Sequence, residues 1–185
     1  MLRMQKNVPL SKFSNYKIGG PAKYFFEAQK YSELKEAIKL AKDSGEKIFI
    51  LGGGTNLLID DHGFSGFVLK SGFSVLKANQ TKVTVGAGVL VSDFLNSTVK
   101  KELSGLEWAG GLPGTVGGAI YGNAGAFGGE IKDSLDLVES FEIKSLKKIK
   151  RTNSECNFEY RSSIFKERRG DEIITTATFH LKRGQ

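Results

Sequence analysis

Between Gly110 and Gly129 the chain reads Gly-Gly-Leu-Pro-Gly-Thr-Val-Gly-Gly-Ala-Ile-Tyr-Gly-Asn-Ala-Gly-Ala-Phe-Gly-Gly, and nine of these twenty residues are glycine, out of 23 in all 185 residues. Each glycine gives up more backbone freedom on folding than any other residue, so this density argues against an ordinary helix or strand. Such a stretch is ordered for a reason that side chains cannot serve. Close approach of main-chain N–H groups to something flat, large and negatively charged is such a reason. A pyrophosphate-bearing cofactor fits that description.

A second glycine cluster, Gly52-Gly53-Gly54-Thr55-Asn56, directly follows the apolar run Lys47-Ile48-Phe49-Ile50-Leu51. Glycines there permit positive φ and leave successive N–H groups facing outward as an anion nest; a tight structural turn is the competing reading. Two familiar phosphate motifs are excluded. No glycine is followed by lysine, as a Walker A loop requires, and no glycine triple at i, i+2 and i+5 occurs, as a dinucleotide-binding Rossmann turn requires.

Tyr24-Phe25-Phe26 reads as a strand after the turn Gly19-Gly20-Pro21. Ser32 reads as an N-cap for a helix carrying Leu34, Ala37, Ile38 and Ala41, stopped by Gly45. Leu57 to Ile59 and Phe67 to Leu69 flank a turn. Residues 81–85 alternate as a strand, a second amphipathic helix runs from Val91 to Leu103, and strands follow at 135–143, 147–151 and 173–181. This order predicts an α+β protein of two lobes, residues 1–71 and 72–185.

The formal charge is +7, which attracts anionic ligands. Its densest clusters, Lys147 to Arg151 and Lys166 to Arg169, read as solvated strand ends and a polar loop. A nucleic-acid-binding module is thereby disfavoured, because Phe49, Phe67 and Phe179 sit inside apolar strands rather than beside basic residues. Cys156 is the only cysteine, so neither an intrachain disulfide nor a cysteine-based metal site can form. His62 and His180 suggest no metal site. The N-terminal residues lack the apolar stretch of a signal peptide, and no apolar run approaches membrane-spanning length. The chain reads as cytoplasmic, with no membrane partner.

Leu51 to Leu58, Ala109 to Ile120, Asn123-Ala124-Gly125-Ala126, Tyr160 to Lys166 and Lys17 to Ala22 together resemble the bacterial UDP-N-acetylenolpyruvoylglucosamine reductase family, also called UDP-N-acetylmuramate dehydrogenases. The elements occur in the family's order and span most of the chain. The resemblance implies the two-lobed flavin module of vanillyl-alcohol-oxidase-like (PCMH-type) enzymes, with FAD bound non-covalently between the lobes. Carried over by motif, Gly53, Gly54, Thr55, Asn56 and Leu57 face the FAD pyrophosphate. Gly111, Pro113, Gly114, Thr115, Gly117, Gly118, Ala119 and Gly125 line the same cofactor. Arg161 matches the active-site arginine, whose planar, permanently charged fork can bind a developing enolate. Tyr160 is expected to pack, and Lys166 either meets the substrate diphosphate or is solvated.

The implied activity reduces the enolpyruvyl group of a UDP-sugar with NADPH as reductant, in peptidoglycan precursor synthesis. The family's further C-terminal domain supplies a serine, a glutamate and much of the UDP-sugar site. No residue here matches that serine or glutamate, so the chain is expected to bind FAD without completing turnover alone. Another non-covalent FAD-binding oxidoreductase fragment is the alternative.

Overall fold

The computed structural model describes residues 4–184. By internal contacts the chain divides after Gly72 into two compact units, and each is described by itself.

The first unit is a four-stranded sheet in the order β1 (Gln5–Pro9), β2 (Pro21–Ala28), β4 (Phe64–Ser71), β3 (Ile48–Leu51). β1 pairs antiparallel with β2, and β4 pairs parallel with both β2 and β3. Helix α1 (Tyr31–Asp43) links β2 to β3 and packs on β2 and β4. Its apolar positions Leu34, Ala37, Ile38 and Ala41 are all buried, as their spacing dictates. The helix starts at Tyr31 with Lys30 as its N-cap, two residues before the expected cap Ser32. The Glu33 carboxylate reaches back to accept the N–H groups of Gln29 and Lys30, at 2.8 and 3.1 Å, satisfying two donors that precede the first turn. On the opposite face Leu10, Ala22, Phe25, Leu51 and Val68 form a core, with the Phe13 ring stacked on Phe25. Parallel neighbours need a crossover connection. From β3 to β4 this is the irregular loop 52–63 rather than a helix, anchored by Leu57 and Ile59 against that core.

The second unit holds a five-stranded antiparallel sheet in the order β11 (Lys148–Thr152), β10 (Leu135–Glu142), β12 (Glu172–His180), β6 (Lys82–Gly86), β5 (Leu76–Asn79). Its buried residues include Val83, Val85, Val138, Ala177 and Phe179, packed with α2 (Val91–Val99) and α3 (Val116–Tyr121). Helix α2 ends four residues short of the expected Leu103. Glu102 turns the chain at φ +53°, and Leu103-Ser104 forms a short strand, β7, paired with β13 (Lys182–Arg183). The glycine-dense segment, expected to avoid regular structure, instead contains α3 and a hairpin of β8 (Gly125–Ala126) and β9 (Gly129–Glu130). Short α4 (Ile164–Glu167) precedes β12. Exposed Lys148 and Lys150 on the edge strand β11 discourage pairing with another chain.

Glu172 is buried in this sheet. It accepts bonds from Ser140 Oγ at 2.5 Å and from the Arg151 guanidinium. Burial pushes its carboxyl up, but Arg151 and Ser140 outweigh burial and hold it below the usual range. A carboxylate with a depressed folded pKa contributes stability above its unfolded pKa and loses it as pH falls through the folded value. Cys156 is sealed beside this pair, and burial pushes its thiol up to about 12.

Removing Arg151 leaves the buried carboxylate without its cation. Arg151→Met is expected to destabilise the second unit by about 2–3 kcal/mol at neutral pH, at or below the lower end for broken buried pairs because the side chain is partly exposed. Arg151→Met with Glu172→Gln is expected to recover most of that loss. Urea unfolding of the wild type and both variants at pH 7 and pH 4 checks this, with the penalty of Arg151→Met shrinking at pH 4.

Candidate functional site

In the first unit, loop 52–63 lies against the segment that precedes β2. Asn15 N–H donates to the Gly54 carbonyl at 3.2 Å and Gly20 N–H to the Asp60 carbonyl at 2.9 Å. Gly54, at φ +66°, comes so near the Phe13 carbonyl that a Cβ there would sit 1.6 Å from its oxygen. A Cβ on Gly20 would sit 2.0 Å from the Asp61 carbonyl oxygen, and one on Gly63 equally close to that of Pro21. These approaches hold the loop against that segment, with the Gly54 and Asp60 carbonyls bonded to it. The loop's donor side is left over. Among the described residues, the N–H groups of Gly53, Gly54, Thr55 and Asn56 have no hydrogen-bond acceptor. Gly54 is a buried residue, and main-chain donors without a protein partner are uncommon in such surroundings. Leu57 turns its side chain into the core.

In the second unit, Gly111 and Gly114 take positive φ, +80° and +102°. The Gly114 carbonyl accepts Val91 N–H at 3.0 Å, while Val116 and Gly117 donate to Val89 and Ala87, both at 2.9 Å. Thr115 caps α3, accepting Gly118 N–H at 3.4 Å on its Oγ1. The N–H groups of Gly111, Gly114 and Thr115 have no acceptor among the described residues. Pro113 is exposed and Ala119 is buried in the core. The glycines divide into two kinds. A Cβ on Gly117 would sit 2.8 Å from Ala87 Cβ, and one on Gly125 2.8 Å from the Gly129 carbonyl oxygen, so the protein itself demands those two. At Gly118 the nearest atom is 3.6 Å away and at Gly111 nothing lies within 4 Å. Neither position is closed by the fold.

Arg161 sits at the tip of a tight turn whose ends, Glu159 and Ser162, exchange N–H···O bonds of 3.2 and 3.1 Å. Its own φ is +55°, and Lys166 Nζ donates to its carbonyl at 2.6 Å. Tyr160 corrects an expectation. It is 82% exposed rather than packed, because the turn projects it outward, and the Arg161 guanidinium lies 5.8 Å from its ring centre. The β8–β9 hairpin faces this turn. Its two-residue tip, Phe127-Gly128, has φ of +49° and +84°, and Phe127 is 93% exposed. Residues Gly125 to Glu130 line an open cavity of about 330 Å³ with Tyr160 and Arg161. Lys132, the Asn123 amide and the charge of Arg161 hold the Glu130 carboxyl below its usual range against burial.

The motif reading gave no role to two residues. Asn123, fully buried at φ +40°, bonds to Glu130, the Glu159 carbonyl and Lys132 N–H. Its place beside a glycine-rich run was visible, but its partners lie up to 36 residues away. Trp108 Nε1 is buried without a hydrogen-bond partner among the described residues, and its ring fills the space that a Gly129 side chain would need. No group of metal-ligating residues occurs among the described residues, and no helix there is long and apolar enough to cross a membrane.

Gly54→Ala adds a positive-φ penalty to a collision with backbone and is expected to cost about 3 kcal/mol or more in the first unit. Gly117→Ala, lacking the φ penalty, is expected to cost about 1–3 kcal/mol. Thermal unfolding of both variants against wild type checks the order.

Comparison with known proteins supports a flavin site. The family model described as "FAD binding domain" matches residues 22–144. The UDP-N-acetylenolpyruvoylglucosamine reductase of Solibacter usitatus is 38% identical over 184 residues, covering 100% of this chain and 58% of that relative. The crystal structure of UDP-N-acetylenolpyruvylglucosamine reductase from Thermus caldophilus matches with a TM-score of 0.84 at 30% identity, covering 100% of this chain and 64% of that one. BBE-like 1 from Physcomitrella patens shares the fold at a TM-score of 0.69 and 19% identity, over 98% of this chain and 42% of that one. The fold is the α+β flavin-binding module of the vanillyl-alcohol-oxidase-like (PCMH-type) superfamily, and the chain belongs to the FAD-binding-domain family.

Proposed function

We propose that this member of the FAD-binding-domain family is the flavin-holding part of a UDP-N-acetylenolpyruvoylglucosamine reductase, with NADPH as reductant, acting in cytoplasmic peptidoglycan precursor synthesis. The observation that carries the reading is the run of four main-chain N–H groups from Gly53 to Asn56 that lack acceptors, one of them on buried Gly54. Main-chain donors aimed from a glycine loop suit a diphosphate. The residues fit a flavin dinucleotide. Gly53, Gly54, Thr55 and Asn56 offer donors from the first unit. In the second unit, taken by itself, the N–H groups of Gly111, Gly114 and Thr115 also lack acceptors among the described residues, and Gly118 leaves room for a flat ligand to approach the backbone.

Bound FAD supplies hydride chemistry. The chain's own residues do the rest of what is proposed here. Arg161 presents a charged fork at the rim of an open cavity, suited to the carboxylate of an enolpyruvyl ether as negative charge builds there. Tyr160 backs the guanidinium, and Lys166 steadies the turn that carries it. The chain spans 58% of the length of the Solibacter relative and 64% of the Thermus structure, and the complete reaction is assigned to an enzyme of that full length.

The purified chain is expected to show flavin absorption bands that stay in solution after acid precipitation, as non-covalent binding requires. Trp108, the single tryptophan, lies three residues from Gly111, and its emission is expected to fall and saturate as FAD is added to flavin-free protein. A folded sample that takes up no FAD and shows no quenching overturns the reading.

Gly118→Ala separates cofactor from fold. It replaces a helical glycine whose added Cβ meets nothing closer than 3.6 Å, so stability is expected to rise by about 0.5–1 kcal/mol. FAD affinity is expected to fall at least about tenfold, or about 1.4 kcal/mol, if the cofactor lies against that backbone. Thermal unfolding without FAD and a flavin titration measure the two effects.

A further inference from the structure

Arg161 is flanked by a carboxylate to which it is not bonded. Glu130 and Arg161 line the same cavity, yet Arg161 has no ion-pair partner among the described residues. A charged fork beside a carboxylate ordinarily closes on it as a bidentate pair. Glu130 is otherwise occupied. Its Oε2 accepts from Lys132 Nζ at 2.7 Å and from Asn123 Nδ2 at 3.1 Å. Asn123 is itself immobilised. Its Nδ2 also donates to the Glu159 carbonyl at 2.9 Å, and its Oδ1 accepts Lys132 N–H at 3.2 Å. One fully buried amide thus ties the glycine-rich segment, the residues after β9 and the arginine turn together.

We propose that Asn123 is a positioning residue: with Lys132 it detains the Glu130 carboxylate, so that the Arg161 guanidinium keeps its charge for a carboxylate arriving from outside. This rests on the role given to Arg161 above and extends it to three residues outside the arginine motif. Without Asn123, Glu130 can rotate onto Arg161 and compete with the incoming anion. The device keeps the carboxylate from bonding to the guanidinium, although its negative charge still lowers the field of the site.

The test is a double-mutant cycle on the full chain, because coupling between two sites appears as non-additivity. The probe is pyruvate, followed by the NMR shift of the Arg161 Nε–Hε pair, with neutral pyruvamide as control. Wild type is expected to give a saturable shift with pyruvate and none with pyruvamide. Asn123→Ser is expected to bind pyruvate at least fivefold more weakly. Glu130→Gln alone is expected to tighten binding only about twofold, through loss of one negative charge. In the Asn123→Ser background the same change is expected to recover at least fivefold. A merely structural role for Asn123 gives equal effects of Glu130→Gln in both backgrounds, and that result overturns the proposal, as does unchanged binding in Asn123→Ser or no saturable shift in wild type. Should Asn123→Ser fail to fold, Lys132→Gln on the surface gives the second cycle, with the same excess recovery expected and equal effects again overturning it. FAD titration of each protein is read separately. Loss of flavin binding in wild type defeats the cofactor reading, while the pyruvate cycle decides the role of Asn123.

Discussion

A backbone donor cannot aim itself, and here the aiming is done by carbonyl oxygens. The Phe13 carbonyl against Gly54, that of Asp61 against Gly20 and that of Pro21 against Gly63 press the loop between β3 and β4 onto the preceding segment. None of these approaches tolerates a Cβ. With the Gly54 and Asp60 oxygens taken by Asn15 and Gly20, the N–H groups of Gly53 to Asn56 are left without an acceptor among the described residues. The second unit uses the same logic with other partners, Val91 N–H on the Gly114 carbonyl and the Val89 and Ala87 carbonyls on Val116 and Gly117. The glycine content of both stretches follows from the packing of main chain on main chain as much as from any ligand.

This explains which parts of the molecule were legible in the sequence. The period of Leu34, Ala37, Ile38 and Ala41 gave α1, and alternation gave β6 and β10, because side-chain burial leaves a pattern. The edge strands β1 and β5 were missed, since β1 exposes four of its five residues and β5 alternates over only four residues, none of them fully buried. The glycine-rich run was read as irregular, yet Thr115 caps a helix within it and Phe127-Gly128 closes a hairpin. There propensity yielded to tertiary bonds, as weak local preferences do. Gly54 and Gly118 look alike in sequence. Only the position of the Phe13 carbonyl, far away in the chain, shows that one is held by the protein and the other is open.

Strain marks the same region. Asn123, Phe127 and Arg161 all take positive φ without being glycine, at +40°, +49° and +55°. Left-handed backbone of this kind costs about 1–2 kcal/mol per residue and persists where surrounding bonds enforce it. Asn123 is enforced by its three side-chain bonds, Phe127 by the hairpin and Arg161 by the Glu159–Ser162 pair. Each of these conformations serves to project or restrain a side chain around one cavity. Tyr160, pushed outward by the same turn, belongs to that arrangement and not to the core.

The sealed thiol of Cys156 has a consequence of its own. With its ionisation pushed up to about 12 and no surface exposed, it is unreactive toward alkylating reagents while the second unit stays shut. Any slow labelling therefore counts the moments when that unit opens, and the chain carries its own clock for breathing motions without an added probe.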